Sequence, residues 1–326
     1  MSFLLRLTIL AALALAPVFG SSALLAQEYP SRPVKIIVPF GAGGPADVFA
    51  RVVAQHLQES LKQTFVVENR PGAGSVIGTD NVAKSPPDGY TLLLMSNTHT
   101  TNESLTPNKP FQLMRDFAPI SPINNSDLQM VVHPSVPAAD LKEFIVLAKA
   151  KPGQLNYASS GPGTPYHMAG ELFKAMTGTD IVHVPHRSSG DMRNSVLGGH
   201  VQMMFDAITV MAQSVQAGQL KALGTTGKTR SSVLPNVPTI AEAGVPDYEA
   251  TIWLGLMAPA GTPKPIIDKL NGEVAKILAR SDVKENWAKQ GAVPMTMSPD
   301  EFDKYLHADI EKWAHVVKVS GAAIQQ

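Results

Sequence analysis

The sequence contains no cysteine among its 326 residues, which excludes disulfide bonds, thiolate catalysis and cysteine-ligated metal sites. It also has no excess of either charge, because 27 lysines and arginines balance 27 aspartates and glutamates. A chain of this kind gives no indication of a nucleic-acid or anionic-membrane partner. The G-x-S-x-G and H-E-x-x-H motifs are absent too, which argues against common hydrolase and metalloprotease mechanisms.

Long apolar runs are confined to the start of the chain. Arg6 is the only charged residue before the apolar stretch 7–19, and small residues follow at 20–23. This pattern is typical of a secretory signal peptide, and the stretch is shorter than the roughly 20 residues that span a bilayer. We expect residues 1–26 to be removed, with cleavage after Ala23 as an alternative to Ala26. The mature protein should then be exported.

The rest of the chain alternates apolar strands with amphipathic helices, which predicts an α/β fold with doubly wound parallel sheets. A first series has strands at 34–38, 65–67 and 91–95, with helices from about 46 and over 76–84. A second series has strands at 128–132, 155–158, 181–184, 201–205 and 222–224, and helices at 139–149, 165–176, 191–197 and 210–216.

The C-terminal part is too small to form a domain and is expected to pack on the first series. It contains a strand at 252–257, a helix with Thr262 as N-cap, and a helix opened by the capping box at Ser298. The chain would then cross between two domains near 124–127 and near 248–251, which forms a hinge and a cleft. The predicted domains are residues 27–125 plus 250–326, and residues 126–249.

A glycine-rich turn follows the first strand and precedes the first helix. Its backbone amides, with the positive end of the helix dipole, can bind an anion. It lacks the Lys-Ser/Thr of a phosphate loop and the G-x-G-x-x-G spacing, so a small carboxylate is a better candidate than ATP or NAD, and no cofactor is expected. The alternative is an ordinary turn stiffened by its aspartate. The residues are Phe40, Gly41, Ala42, Gly43, Gly44 and Asp47.

Other candidate ligand contacts follow later strands, since open parallel sheets bind ligands at the carboxyl ends of their strands. The polar loop at 96–101 either contacts the ligand or is an ordinary solvated loop. The loop at 159–164 is the counterpart of the first turn. Thr164 is also a candidate helix cap, and the pair His167 and Glu171 is too small a set for a metal site. The residues proposed to bind are Asn97, Thr98, Ser159, Ser160, Gly161 and Thr164.

Two charged residues have competing interpretations. Asp206 either accepts a hydrogen bond from the ligand at a strand end or caps the next helix. The planar fork of Arg187 suits a distal ligand carboxylate, whereas the alternative is a surface pair with Asp191. Phe40 is expected to serve mainly as a cleft wall.

Eight short motifs occur in the order found in one known family, and together they cover essentially the whole mature chain. On these motifs the chain resembles the Bug (TctC) proteins, the extracytoplasmic solute receptors of tripartite tricarboxylate transporters. The motifs begin at Tyr29-Pro30, Pro39-Phe40, Val67-Glu68, Pro87-Asp88, Tyr157-Ala158, Val184-Pro185, Gly199-His200 and Ala258-Pro259.

The resemblance implies a two-domain periplasmic binding protein clamshell with a two-crossing hinge, which closes on a small carboxylate held by backbone amides and ordered waters. It also implies delivery to an inner-membrane permease by a monomeric receptor that is not an enzyme. The run 186–193 departs from the family pattern, so a relative's ligand need not carry over. Dicarboxylates, aromatic acids, hydroxy acids and acidic amino acids all remain open, as do the alternatives of a secreted α/β hydrolase and a ligand sensor.

Overall fold

The computed structural model describes residues 29–320, so the predicted signal peptide lies outside the described residues. Residues 32–320 fold into alternating strands and helices. The strands are β1 (Val34–Val38), β2 (Phe65–Asn69), β3 (Thr91–Ser96), β4 (Phe117–Val132), β5 (Asn156–Ser159), β6 (Val182–Pro185), β7 (Met203–Ala207), β8 (Lys221–Thr225), β9 (Thr251–Pro259) and β10 (Ala292–Pro294). The helices are α1 (Pro45–Leu61), α2 (Val76–Ala83), α3 (Asn97–Leu105), α4 (Leu113–Asp116), α5 (Leu141–Ala150), α6 (Pro165–Thr177), α7 (Ser189–Leu197), α8 (Ile208–Gln216), α9 (Lys264–Ala279), α10 (Ser281–Ala288) and α11 (Pro299–Ser320).

The strands form one continuous sheet in the order β2-β1-β3-β9-β4-β7-β5-β6, with β8 and β10 also paired to β4. Its two ends are parallel, as the alternating pattern predicts: β1 pairs with β2 and β3, and β5 pairs with β6 and β7. Its middle is antiparallel, because β4 runs from one strand group to the other and β9 runs back beside it. The sheet is therefore mixed, with the predicted parallel pairing at its two ends and an antiparallel middle that was not predicted.

Strand β4 begins 11 residues before the predicted start at 128. Two prolines, Pro119 and Pro122, make this segment look like a linker, yet the register of its pairing with β9 shifts next to each of them. A proline lacks an N–H, so a bulge is where a strand tolerates it. The pairing with β9 continues to Asp127, and the pairing with β7 begins at Leu128.

Each strand group has its own buried core. The β4–β8 group packs around large side chains that include Tyr157, Phe173 and Phe205. The β1–β3 group packs around Leu93, Trp253 and Phe302. The last helices pack on the β1–β3 group, as the edge-to-face contact of Phe49 with Trp287 illustrates at 5.0 Å between ring centroids.

Two helix starts test the predicted caps. The helix α11 begins with the predicted capping box, in which Ser298 N donates to Glu301 and Glu301 N donates to the Ser298 hydroxyl. The helix α9 begins one residue later than predicted, at Lys264, so Pro263 and not Thr262 is the N-cap. The hydroxyl of Thr262 instead donates to Pro259 O at 2.7 Å. Of the helices in residues 29–320, none is long and apolar enough to cross a membrane.

Candidate functional site

A small cavity lies where the first turns of α1 and α6 meet. Its volume is about 30 Å³, which is room for about two water molecules or one carboxylate group. No side chain with a full charge at neutral pH lines this inner cavity among the described residues. Its lining residues are Phe40, Gly41, Gly44, Pro45, Ala46, Ser96, Ser160, Thr164, Pro165, Tyr166, Ser189, Ile252 and Leu254.

Both helices begin in the same way. Each has proline at its first position, Pro45 in α1 and Pro165 in α6, which has no N–H to leave unpaired. The next amides in each first turn, beginning at Ala46 and Tyr166, have no partner within their helix. Two helix N-termini, each with a partial positive charge, therefore border one cavity that lacks charged side chains, and this arrangement stabilises an anion.

The turn between β1 and α1 is stiffened by Asp47, as the alternative interpretation of the turn expects. Gly43 N donates to Asp47 Oδ2 at 3.0 Å, and Asp47 Oδ1 lies 2.8 Å from the Arg51 guanidinium. Burial opposes the charge, but the hydrogen bonds from Arg51 and Gly43 prevail and hold the pKa of Asp47 below its usual value. The Gly43 amide is thus engaged by Asp47, and Gly43 itself has a left-handed φ of 76°.

The loop between β5 and α6 is held by two histidines. His167 Nδ1 accepts from Gly163 N at 3.1 Å, and His183 Nε2 lies 2.6 Å from the Ser159 hydroxyl. The two imidazoles stack with 4.1 Å between their centroids. Burial lowers the pKa of both rings, to about 4 for His167 and about 3 for His183. Both rings are therefore neutral at neutral pH.

The side chains of this second loop are used within the loop. Ser159 is fully buried, and its hydroxyl accepts from Gly161 N at 3.1 Å. The Thr164 hydroxyl donates to Gly161 O at 2.7 Å, and no side-chain capping bond is made by Thr164 to α6. Thr164 is therefore the N-cap of α6 by position, but its side chain does not bond to the helix. Ser160, Gly161 and Thr164 line cavities, whereas Ser159 supports them from behind.

The polar run after β3 is a buried helix, which corrects the prediction of a loop. Ser96 caps α3, with His99 completing a capping box from the third helical position. Asn97 donates through Nδ2 to Thr251 O at 2.9 Å, and Thr98 is fully buried. The Asn97 Oδ1 and Thr98 Oγ1 atoms are buried without a hydrogen-bond partner in the described structure. Ligand or water contacts of these two atoms stay a prediction.

Asp206 is buried at the end of β7 and forms an ion pair. Its Oδ2 accepts from Arg193 Nε at 2.6 Å, and its Oδ1 accepts from Ala207 N. Burial raises the pKa of Asp206, although Arg193 opposes that effect, and a hydrogen bond from Tyr166 also stabilises the carboxylate. The N-cap of α8 is Ala207, so the capping interpretation is wrong. Asp206 supports Tyr166, which lines the inner cavity, and a direct ligand contact of Asp206 stays a prediction.

A larger outer cavity of about 460 Å³ adjoins the inner one. Arg187 lines it, and the expected alternative pair of Arg187 with Asp191 is not formed among the described residues. Asp191 Oδ2 accepts from Ser188 Oγ. Its lining residues are Pro39, Phe40, Gly41, Pro71, Gly72, Ala73, Gly74, Ser75, Ser160, Gly161, Pro162, Thr164, His186, Arg187, Ser188 and Ser189.

Sequence reasoning missed several lining residues. Tyr166 and Ser189 each lie in the first turn of a helix that borders the inner cavity, as Ala46 does in α1. The signal that points to Tyr166 is the repeated order of glycine, N-cap and proline before it. Ser96 was included in the polar run but not named as a contact. Seven of the predicted residues line neither cavity in the described part of the chain. They are Ala42, Gly43, Asp47, Asn97, Thr98, Ser159 and Asp206.

Comparison with known proteins gives a consistent result. A family model described as tripartite tricarboxylate transporter family receptor (TctC) matches residues 49–322. Protein BugT of Bordetella pertussis is 39% identical over 302 residues, which cover 92% of this chain and 93% of BugT.

Solved structures agree with the family match. Rpa4515 of R. palustris with adipate is 35% identical with a TM-score of 0.88, covering 91% of this chain and 99% of Rpa4515. The periplasmic binding protein BugD is 33% identical with a TM-score of 0.85, covering 90% of this chain and 99% of BugD. The fold is that of periplasmic binding proteins of this type.

Proposed function

This chain belongs to the tripartite tricarboxylate transporter receptor family, and from that premise we propose that it is a periplasmic solute-binding receptor. In this proposal it captures a small carboxylate in the cleft and delivers it to a tripartite tricarboxylate-type permease in the inner membrane. Residues 1–26 direct export and are removed. The protein acts as a monomer and returns its ligand chemically unchanged.

The observation that carries the proposal is the convergence of two helix N-termini on one uncharged cavity. The first turns of α1 and α6 offer free amides and the positive ends of two dipoles, and the cavity has the size of a carboxylate group. Adipate in the structure of Rpa4515, which is 35% identical over nearly the whole chain, supports an acid as the ligand. The carboxylate would lie against Gly44, Ala46 and Tyr166.

We further propose that capture proceeds by closure of two domains, residues 27–125 plus 250–326 and residues 126–249. The change of partners in β4, from β9 up to Asp127 to β7 from Leu128, supports this division. A Cβ built on Gly41 would lie 3.4 Å from the Cβ of Ser188, so the loops of the two proposed domains are in contact. Ligand binding would favour this closed form over an open one.

One contact favours a hydrolase as the second candidate, since Ser159 Oγ lies 2.6 Å from His183 Nε2 as in a nucleophile–base pair. The surroundings of Ser159 argue against a hydrolase. The Ser159 hydroxyl is fully buried and already bonded to the Gly161 amide, so no substrate can reach it without rearrangement of the loop. We therefore favour the receptor.

A thermal-shift screen of the mature, ligand-stripped protein against small carboxylates and their neutral amides tests the proposal. A ligand at 100 times its dissociation constant should add about 2.7 kcal/mol to the free energy of unfolding. We expect stabilisation by a few related acids, with no effect of the amides and no product detectable by chromatography. Stabilisation by neutral solutes alone would exclude the carboxylate site, and turnover of a hit would favour the hydrolase.

A further inference from the structure

The inner cavity holds only part of a ligand. Its volume of about 30 Å³ suits one carboxylate group, whereas the adjoining outer cavity measures about 460 Å³. The two cavities share Phe40, Gly41, Ser160, Thr164 and Ser189 in their linings. The rest of a ligand that is bound by its carboxylate must therefore lie in the outer cavity.

The outer cavity has one permanent charge, and it is positive. Among its described lining residues, Arg187 is the only one with a full charge at neutral pH, and no aspartate or glutamate is present. The other titratable residue is His186, whose Nδ1 lies 3.0 Å from Val184 O. An imidazole carries no negative charge, so His186 cannot cancel the charge of Arg187.

Arg187 differs from the other arginines in residues 29–320, because each of the other seven forms an ion pair with a carboxylate. The pairs are Arg32–Asp88, Arg51–Asp47, Arg70–Glu68, Arg115–Asp116, Arg193–Asp206, Arg230–Glu242 and Arg280–Asp282.

The nearest acid along the chain, Asp191, bonds to Ser188 and forms no ion pair with Arg187 among the described residues. Asp191 Oδ2 accepts from the Ser188 hydroxyl at 2.9 Å, and Asp191 N donates back to that hydroxyl at 3.1 Å. This reciprocal pair holds Asp191 at the start of α7. Arg187, one residue before the N-cap Ser188, lines the outer cavity without an ion pair to any carboxylate in residues 29–320.

We propose that Arg187 binds a second anionic group of the ligand in the outer cavity and so determines specificity for dianionic acids. One carboxylate lies between the N-termini of α1 and α6, and the second pairs with the guanidinium, whose planar fork suits a carboxylate. This inference rests on the proposed receptor function and adds the ligand class. Arg187 would contact only the second anionic group, since Arg187 does not line the inner cavity.

The test is a calorimetric titration with matched acids. The unbranched α,ω-dicarboxylates of four to ten carbons are compared with the monocarboxylates of equal length, using the ligand-stripped wild type. We expect the dicarboxylate to bind about tenfold more tightly at the best length, as one charge-assisted pair at a partly exposed site contributes. That length also reports the distance between the inner cavity and Arg187.

Variants then assign the difference to Arg187. We expect Arg187→Gln to remove the roughly tenfold preference for the dicarboxylate while the monocarboxylate binds as before. Arg187→Glu should repel the second carboxylate and attract an ammonium group, so that the ω-amino acid of the same length binds more tightly than the dicarboxylate. Arg280→Gln is the matched control, because Arg280 is an exposed arginine paired with Asp282 outside both cavities, and it should keep the preference.

Two results would overturn the proposal in different ways. If wild type binds the two acids equally, or if Arg187→Gln weakens both to the same extent, then Arg187 does not read a second anion, although the receptor function stands. If no acid of either series binds to wild type, then the carboxylate site itself is wrong and the proposed function fails with it.

Discussion

At the scale of single residues, the structure separates positions that contact the cavities from positions that hold them in place. Gly41, Gly44 and Ser160 line the inner cavity, whereas Asp47 and Ser159 fix the backbone of the loops that present them. Both kinds of residue were predicted together as ligand contacts. The sequence places them in the same loops, but only the packed structure decides which side chains are turned inward to hydrogen-bond the loop.

Substitution of Gly43 tests the effect of a strained backbone, because an added side chain would not clash with neighbouring atoms. Its φ is 76°, and a Cβ built on it would meet nothing within 4 Å, so any cost of a side chain comes from the left-handed backbone. We expect Gly43→Val to destabilise the protein by about 1–2 kcal/mol and to weaken carboxylate binding strongly, because the turn before α1 must shift.

Gly218 is the matched control for that substitution. It has a φ of 71°, also with nothing within 4 Å of a built Cβ, and it lies between α8 and β8 and lines neither cavity. Gly218→Val should lose similar stability in thermal melts and keep wild-type affinity by calorimetry. Equal losses of affinity in the two variants would show that the effect is general destabilisation.

The buried pair of Asp206 and Arg193 gives a prediction for stability. Asp206→Ala leaves the Arg193 guanidinium, whose side chain is only 16% exposed, without its carboxylate. We expect a loss of about 3 kcal/mol in chemical denaturation, together with weaker binding because Tyr166 loses its support. Asp282→Ala removes an exposed partner of Arg280 and should change stability little. An unchanged midpoint for Asp206→Ala would mean that the pair is solvated in solution.

At the scale of elements, the regular strands and helices of the two ends of the sheet are predictable, and the exceptions have physical causes. The helix α3 was predicted as a loop because Asn97 to Thr101 are all polar and short. Most of these side chains can be buried because they bond to the helix itself or to neighbouring segments, as Thr101 does to Asn97 O and Asn97 does to Thr251 O. Such bonds depend on tertiary contacts that a local pattern does not contain.

The same limit applies to the partners of the site residues. Arg193 is 13 positions from Asp206 and lies on a different element, so only the packing of α7 against β7 brings the two together. The glycine-rich turn was predictable, since Gly43, Asp47 and the start of α1 act within five residues of one another. The turn stiffened by Asp47 was therefore predictable from local chemistry, whereas the pair of Arg193 with Asp206 was not.

The capping box of α3 predicts a dependence of stability on pH. Burial lowers the pKa of His99 to about 4 from its usual 6.5, so between these pH values the unfolded chain binds more protons than the folded one. The contribution of His99 to the free energy of unfolding therefore rises with pH over this window. It is fully present above pH 6.5 and is lost as the pH falls toward 4. The contribution of His99 is roughly 3 kcal/mol.

Thermal or urea unfolding from pH 7.5 to pH 4.5 measures this contribution. We expect the loss of stability at acid pH to be smaller in His99→Gln than in wild type, because the difference in proton binding at that site is removed. His315→Gln, at an exposed position of α11, should follow wild type. Parallel curves for wild type and His99→Gln would show that His99 protonates without cost.

For the whole molecule, the proposed domain closure requires the loops that carry Gly41 and Ser188 to meet. The absence of native cysteine makes this testable with a double-cysteine variant. A Cβ built on Gly41 lies 3.4 Å from the Cβ of Ser188, close to the separation of about 3.5–4.5 Å found in disulfides. We expect Gly41→Cys with Ser188→Cys to crosslink under mild oxidation, and faster with ligand present.

The readout of that experiment is the dissociation rate of ligand before and after oxidation. Crosslinking of the liganded form should slow ligand release, and reduction should restore it, whereas the two single-cysteine variants should respond to neither treatment. A double variant that fails to crosslink in the presence of saturating ligand would show that Gly41 and Ser188 do not approach each other in solution.

A crystal structure with the best acid from the thermal-shift screen would show whether a ligand carboxylate lies between the first turns of α1 and α6. We expect an intact acid with a carboxylate in the inner cavity, within hydrogen-bond distance of the amide of Ala46 or Tyr166. An acid bound wholly outside the inner cavity, or a cleaved or covalently attached molecule, would contradict this expectation.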